Sequence, residues 1–148
     1  MGYINKNDEK FGLEQEKICL PIINDFFKFN LMKPDGVFNH FDFYDIDRNT
    51  YVELKSRHYF STSFKDYEIG HWKIHKAIQH LKNGSRVYVV NNFYDKIVYY
   101  ELTLKNIQTL DYRKGGTNKW GIDEIENYYY IPRQDCKLLY RKDLFKYL

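Results

Sequence analysis

The sequence predicts one α/β domain with a central mixed β-sheet flanked by helices. Its length of 148 residues is typical of a single domain. Two segments repeat apolar residues at helical spacing, and several short segments alternate apolar and polar residues as strands do. These patterns follow one another in the order α-β-β-α-β-β, with a β-α tail, which is typical of an α/β fold.

The first predicted helix covers residues 11–28. Its apolar residues form a broad stripe, which indicates burial against a sheet. Pro21 lies inside this stripe and is expected to bend or restart the helix. Residues 31–36 are predicted to be a loop because they contain Pro34 and Gly36.

Two short strands are predicted next, at residues 37–44 and 51–57, with a turn at 45–49 between them. The turn contains Asp45 and Asp47, and aspartate side chains often bond to the local backbone in turns. We therefore assign these two carboxylates to turn formation, although they are rivals for a role in the chemistry. The two strands are expected to form a hairpin.

This hairpin brings acidic and basic side chains together. Glu53 and Lys55 are two residues apart on a strand, so their side chains leave the same face. If the turn is centred on residues 47–48, Asp42 lies opposite Glu53, with the two Cβ atoms about 5 Å apart. Two carboxylates this close repel unless a cation separates them, and Mg²⁺ is bound through one or two carboxylates with waters and phosphate oxygens. The alternative is an exposed cross-strand salt-bridge ladder.

The second half of the chain continues the alternation of helix and strand. A second helix is predicted at residues 67–82, with Ile74, Ala77 and neighbouring apolar residues as its core stripe and Gly84 as its stop. The remaining predicted elements are strands at 86–92 and 96–103, a flexible basic loop at 112–121, a short strand at 128–131 that Pro132 ends, and a closing helix at 135–148.

Composition limits the function classes only weakly. The net charge of +3 does not by itself indicate a nucleic-acid binder, because clear cases have a domain pI above about 9. The 15 Tyr and 11 Phe favour strands and could offer flat faces to bases, although a codon bias is the better explanation of their number. Cys19 and Cys136 make neither a disulfide framework nor a zinc cluster. The polar residues 1–10 and the lack of a long apolar run predict an intracellular protein without a membrane partner.

The segment Phe41-Asp42-Phe43, followed by Glu53-Leu54-Lys55 between two helices, resembles the PD-(D/E)XK nuclease superfamily. The proline of the family's motif is absent. The resemblance covers roughly residues 12–103 and implies a restriction-endonuclease-like fold and a Mg²⁺-dependent DNA endonuclease in which Mn²⁺ substitutes. It also implies that Asp42, Glu53 and the Leu54 carbonyl bind the ion, and that Lys55 acts on the nucleophile and the developing charge.

The resemblance extends to both helices. Members of the family often carry a metal-site glutamate on the first helix, for which Glu14 and Glu16 are the candidates. Glu16 falls inside the apolar arc, where a charged residue needs a partner such as a metal or a lysine. We therefore choose Glu16, and the stretch from Gly12 to residue 22 also resembles the first helix of small viral members. Lys73 at the edge of the second helix's stripe matches a family lysine that contacts the scissile phosphate, and an ordinary boundary lysine is the alternative.

The resemblance implies DNA as the partner, and cutting both strands implies a homodimer or tetramer. Competing hypotheses are a catalytically silent nucleic-acid-binding or protein-interaction domain of the same fold, and an unrelated α/β fold whose ion pairs mimic the motif. The His71/His75 pair has the spacing of zinc ligands but no third ligand nearby in the sequence. The candidate nucleic-acid contacts, each also explicable as an ordinary surface or capping residue, are Arg57, Thr62, Lys73, Lys114 and Lys119.

Overall fold

The described chain begins with a long helix and continues as runs of two or three strands separated by helices. The computed structural model describes residues 6–34, 41–115 and 126–143. The helices are α1 (Lys6–Phe27), α2 (His71–Lys82) and the short α3 (Leu104–Ile107). The strands are β1 (Phe43–Asp45), β2 (Thr50–Ser56), β3 (Asp66–Gly70), β4 (Arg86–Asn92), β5 (Lys96–Leu102), β6 (Asp111–Gly115), β7 (Glu126–Pro132) and β8 (Lys137–Arg141), with a 3₁₀ turn at Arg133–Asp135.

The main sheet has five strands in the order β1-β2-β4-β5-β8. β2 and β4 pair in parallel, with Glu53 beside Val89 and Lys55 beside Asn91, whereas the other neighbours are antiparallel. Parallel neighbours need a crossover connection, and here the chain passes through β3 and α2 between the two strands. The predicted α/β class with a mixed central sheet is therefore confirmed.

Helices cover both faces of the main sheet. On one face, Ile23 of α1 packs in a buried cluster with Val52 and Leu54 of β2. On the other face, Ile74 of α2 packs in a second cluster with Val89 of β4. Side chains that alternate along a strand therefore enter different clusters, which is why β4 is buried from Val87 to Asn92. The same alternation directs Glu53 away from α1 and towards α2.

The second helix begins later than the sequence predicts. Tyr67 and Ile69 are buried and alternate with partly exposed neighbours in β3, so the period of two decides the structure there. α2 begins only at His71, and the predicted helix is wrong for the residues before it. β3 pairs with β7 in a separate three-stranded sheet of order β3-β7-β6.

The tail of the chain also differs from the prediction. The closing helix predicted at 135–148 is wrong for residues 137–141, where β8 pairs antiparallel with β5 at the edge of the main sheet, and residues 144–148 lie outside the described residues. Leu139 is buried between Leu138 and Tyr140, each of which is 45% exposed, and this alternation favours a strand. The predicted loop at 112–121 begins as β6, and its remainder lies outside the described residues.

The first elements keep their predicted types but change their lengths. α1 begins at Lys6 and runs through Pro21 without restarting, and Lys28 then takes a left-handed φ of 60°. β1 begins only at Phe43, although a strand is predicted at 37–44, and it includes Asp45, which is predicted to lie in the turn. Residues 35–40 lie outside the described residues.

Candidate active site

The hairpin has the register that the sequence predicts. Phe43 pairs with Val52, so the next position outward places Asp42 opposite Glu53. An Asp42 carboxylate oxygen accepts a 2.7 Å hydrogen bond from the backbone N–H of Leu54, and the carboxyl group is also in hydrogen-bonding contact with Glu53. The two carboxyl groups are thus held together at the edge of the sheet.

Asp45 holds the turn that sets this register. Its fully buried carboxylate accepts hydrogen bonds from the backbone N–H groups of Asn30, Asp47 and Arg48 at 2.8, 3.0 and 3.1 Å. Burial raises the pKa of Asp45, but these bonds and the Arg48 guanidinium outweigh it, so the pKa lies below its ordinary value. Its contacts are those of the turn residue that the sequence predicts.

Glu53 is paired with a lysine of the crossover helix. The Lys73 ammonium donates a 2.6 Å hydrogen bond to a carboxylate oxygen of Glu53, and the two side chains are only 14% and 5% exposed. The same nitrogen lies 4.7 Å from the ring centre of Trp72 and 5.4 Å from that of Phe41. Lys73 therefore faces the carboxylates, and its contact with a scissile phosphate stays a prediction.

Asp42 lies where its surroundings disfavour the charged carboxylate. Burial, followed by the negative charge of Glu53, raises the pKa of Asp42 from 3.8 to about 6. The Leu54 N–H and the more distant Lys73 charge lower it only in part. Near neutral pH the fold therefore holds a carboxylate in a place that disfavours its charge.

Glu16, rather than Glu14, faces this carboxylate pair. Its side chain is 19% exposed and accepts a 2.9 Å hydrogen bond from Lys33. Burial raises the pKa of Glu16; Lys33 opposes this effect and Asp42 adds to it, so Glu16 and Asp42 are close neighbours. Glu14 is 57% exposed and lies 4.0 Å from Lys10. The expected partner of the buried glutamate is thus Lys33, which the sequence analysis missed.

Lys55 lines a pocket of about 340 Å³ next to these carboxylates. Its side chain makes no hydrogen bond or ion pair with the described residues, unlike Lys73 and Lys33, so its ammonium group is available to an anion. The pocket lies between the start of α1 and the end of β2. The residues that line it are Phe11, Gly12, Glu16, Leu54, Lys55, Ser56 and His58.

A buried polar network supports one side of this pocket. The amide of Asn92, which is 2% exposed, donates to Gln15 of α1 at 2.9 Å and to Ser56 of β2 at 3.0 Å. The Lys142 ammonium donates to the Asn92 carbonyl oxygen at 2.6 Å, and burial lowers the pKa of Lys142. Sequence reasoning missed this network because its members are far apart in the chain.

Gly12 leaves open space in the pocket, but a glycine here lowers the stability of α1. A Cβ atom at this position would meet nothing within 4 Å. Glycine within a helix is less favourable than alanine by about 1 kcal/mol. We therefore expect Gly12→Ala to raise the free energy of unfolding by about 1 kcal/mol, measured by urea denaturation. A decrease would mean that the backbone at this position needs glycine.

The structure places the other predicted contacts away from the carboxylates or in structural roles. The Arg57 guanidinium bonds to Glu68 at 2.7 Å and to Asn91 at 3.1 Å, so binding a phosphate would require it to exchange a partner. Thr62 is exposed in a turn and caps no helix, because β3 separates it from α2. Lys114 is exposed on β6, and Lys119 lies outside the described residues.

A cluster of side chains arranged to hold a metal ion is not found in the described ranges. Within residues 6–34, 41–115 and 126–143, no group of three or more His, Cys, Asp or Glu side chains is arranged to hold an ion. The His71 and His75 rings are 6.0 Å apart, and nothing in these ranges completes a zinc site with them. The carboxyl pair of Asp42 and Glu53 still fits Mg²⁺, which uses one or two carboxylates and takes its other ligands from water and substrate.

Comparisons with protein-family models, curated proteins and solved structures found no match to the chain. In the part of the chain that the structure describes, no helix combines the length and apolar character needed to span a bilayer.

Proposed function

We propose that this protein is a Mg²⁺-dependent endonuclease that hydrolyses phosphodiester bonds of DNA, on a restriction-endonuclease-like fold. The observation that carries the proposal is the close pair of carboxyl groups from Asp42 and Glu53, with Glu16 near Asp42, beside a pocket lined by Lys55, which has no ion pair among the described residues. Acidic groups for an ion and a cation for the substrate are the parts that phosphodiester hydrolysis needs.

The repulsion within the carboxyl pair supports a metal role. A raised pKa at Asp42 means that the charged state is disfavoured until a cation neutralises it. Lys73 reaches one oxygen of Glu53 and leaves Asp42 without an ion pair among the described residues. Asp42 and Glu53 would hold Mg²⁺ or Mn²⁺, with the Leu54 carbonyl and Glu16 as further candidates. Such an ion supplies Lewis-acid activation of the scissile phosphate.

Lys55, Lys73 and Lys33 have different roles in the proposed mechanism. Lys55 faces the open pocket, where its ammonium group stabilises negative charge on the phosphate and orients a water molecule. Lys73 holds Glu53 in place through its short hydrogen bond and keeps that buried carboxylate partly neutralised. Lys33 does the same for Glu16. One such site cuts one strand, so cutting both strands of a duplex requires a homodimer or tetramer.

Cleavage assays test this proposal directly. Purified protein is incubated with supercoiled, linear and four-way-branched DNA, with Mg²⁺, with Mn²⁺ or with EDTA. We expect cleavage with either metal ion and none with EDTA. Lys55→Ala should reduce the rate by at least about 100-fold, because it removes a charge aimed at the transition state. Lys82→Ala is the matched control, since this exposed lysine ends α2 outside the site.

The outcomes separate the candidate functions. Cleavage that persists in EDTA or in the Lys55→Ala protein would contradict the proposed mechanism. If the protein cleaves none of these substrates and Glu53→Ala leaves its metal affinity unchanged, the Lys73–Glu53 and Lys33–Glu16 pairs are ordinary structural ion pairs. DNA binding without cleavage would favour a catalytically silent domain.

A further inference from the structure

We propose that the pocket beside Lys55 binds one unpaired nucleotide of the DNA strand that is cut, which makes the protein selective for single-stranded or locally unpaired DNA. This inference rests on the proposed nuclease function and specifies its substrate. It follows from the side chains that line one side of the pocket.

Aromatic rings form that side of the pocket. The rings of Phe11, on α1, and His58, just after β2, have centroids 4.2 Å apart and planes inclined by 31°. Both side chains line the pocket, and His58 is exposed while Phe11 is partly buried. A nucleobase stacks readily on such rings whatever its identity, because every base has a flat π-face.

The pocket has the size and polarity of a small-molecule site. Its volume of about 340 Å³ lies within the range of pockets that enclose a ligand. Gly12 contributes no side chain, so the space beside α1 stays open for the base. Leu54 adds an apolar surface, and Ser56 is held in place by Asn92.

The position of the pocket explains why the nucleotide must be unpaired. Lys55 and Glu16, to which the proposed mechanism assigns the phosphate and the ion, line the same pocket, so a base against Phe11 and His58 would belong to a nucleotide next to the scissile phosphate. In a duplex that base is stacked and paired, and an enzyme reaches it only by acting on single strands or by flipping the base out. A concave pocket at the phosphate therefore favours DNA that is already unpaired at the cut.

Binding in EDTA tests this inference without relying on catalysis. The probe is a single-stranded oligonucleotide that contains one 2-aminopurine, whose fluorescence falls when it stacks on an aromatic ring. We expect quenching on binding, and affinity about tenfold weaker for Phe11→Ala. Gly12→Leu should weaken binding to a similar extent by filling the pocket, while remaining folded because leucine favours a helix. Phe64→Ala is the matched control, since Phe64 is 54% exposed and does not line the pocket.

A second comparison measures cleavage of one sequence as a single strand, as a perfect duplex and as a duplex with a short unpaired bubble. We expect cutting of the single strand and of the bubble, with little cutting of the perfect duplex. If all three are cut equally, or if folded Gly12→Leu binds the probe as the natural chain does, the pocket does not hold a base and the nuclease proposal stands alone. If nothing is cut but quenching and its loss in both variants are seen, the pocket binds unpaired DNA and the nuclease proposal fails.

Discussion

Asp42→Asn is expected to stabilise the metal-free protein near neutral pH and to abolish cleavage. The carboxyl group of Asp42 lies against Glu53, and burial and this neighbour raise its pKa from 3.8 to about 6. An asparagine has the same shape, can accept the hydrogen bond from Leu54 N–H, and can donate to Glu53 where aspartate repels it. The substitution thus removes an unfavourable charge and a metal ligand together.

The contribution of Asp42 to the free energy of unfolding decreases as pH rises. A carboxyl group whose pKa is raised by folding binds its proton more tightly in the folded state, so its stabilising contribution is lost as pH rises. For Asp42 this loss extends from about pH 4 to about pH 6 and amounts to up to about 3 kcal/mol. The stability advantage of Asp42→Asn should therefore grow across this window and remain constant above it.

Urea denaturation in EDTA at several pH values measures this advantage. Asp45→Asn is the control three residues away, because hydrogen bonds lower the pKa of Asp45 although burial opposes them. That variant should be less stable than the natural chain near neutral pH. If Asp42→Asn is also destabilising there, or if its advantage does not change with pH, the carboxyl pair does not repel as described.

Lys73→Met is expected to destabilise the protein by about 3 to 5 kcal/mol near neutral pH. The Lys73–Glu53 pair is 2.6 Å long, and both side chains are largely buried. Removing the ammonium leaves a buried carboxylate beside Asp42 without its partner, and that uncompensated charge is the main cost. Removing both charges, in Glu53→Gln with Lys73→Met, should restore much of the lost stability.

A double-mutant cycle by urea denaturation gives the coupling between the two side chains. The comparison pair is Lys10–Glu14, at 4.0 Å with side chains 79% and 57% exposed, where Lys10→Met should cost less than about 1 kcal/mol. Additive effects of Glu53→Gln and Lys73→Met would show that the buried pair is not coupled. Mg²⁺ should partly restore the stability of Lys73→Met if an ion binds the freed carboxylate.

The parts of the site that the sequence predicts best are those fixed by local geometry. The length of the turn sets the register of the hairpin, so Asp42 could be placed opposite Glu53 from spacing alone. Helical periodicity similarly separates Glu16, which is partly buried, from the exposed Glu14. In both cases the relevant neighbours lie within one element or one tight connection.

Tertiary partners escaped prediction because no local pattern encodes them. Lys33 lies after α1 in a segment predicted as a loop, yet it contacts Glu16 across the fold. Asn92 of β4 donates hydrogen bonds to Gln15 of α1 and to Ser56 of β2, so the three residues come from three different elements. Arg57, predicted to contact phosphate, lies in such a network, with Glu68 and Asn91 as its partners.

Errors in the fold arose where helix and strand periods compete over short segments. Tyr67 and Ile69 fit either an extension of α2 or a separate strand, and only their pairing with β7 decides between them. The apolar residues of β8 are equally ambiguous, and pairing with β5 makes them a strand. Sheet neighbours that are distant in the chain override local preference in both places.

The connection between the parallel strands β2 and β4 determines the direction in which Lys73 points. Because β2 and β4 cannot be joined by a tight turn, the chain must leave the sheet, and this detour carries Lys73. The pairing of β3 with β7 determines where α2 begins, and each helical residue turns the next side chain by about 100°. One residue inserted between β3 and Lys73 would therefore swing the ammonium group away from Glu53 while leaving every strand intact. The length of β3, in the three-stranded sheet, thus determines whether Lys73 points towards Glu53 in the five-stranded sheet.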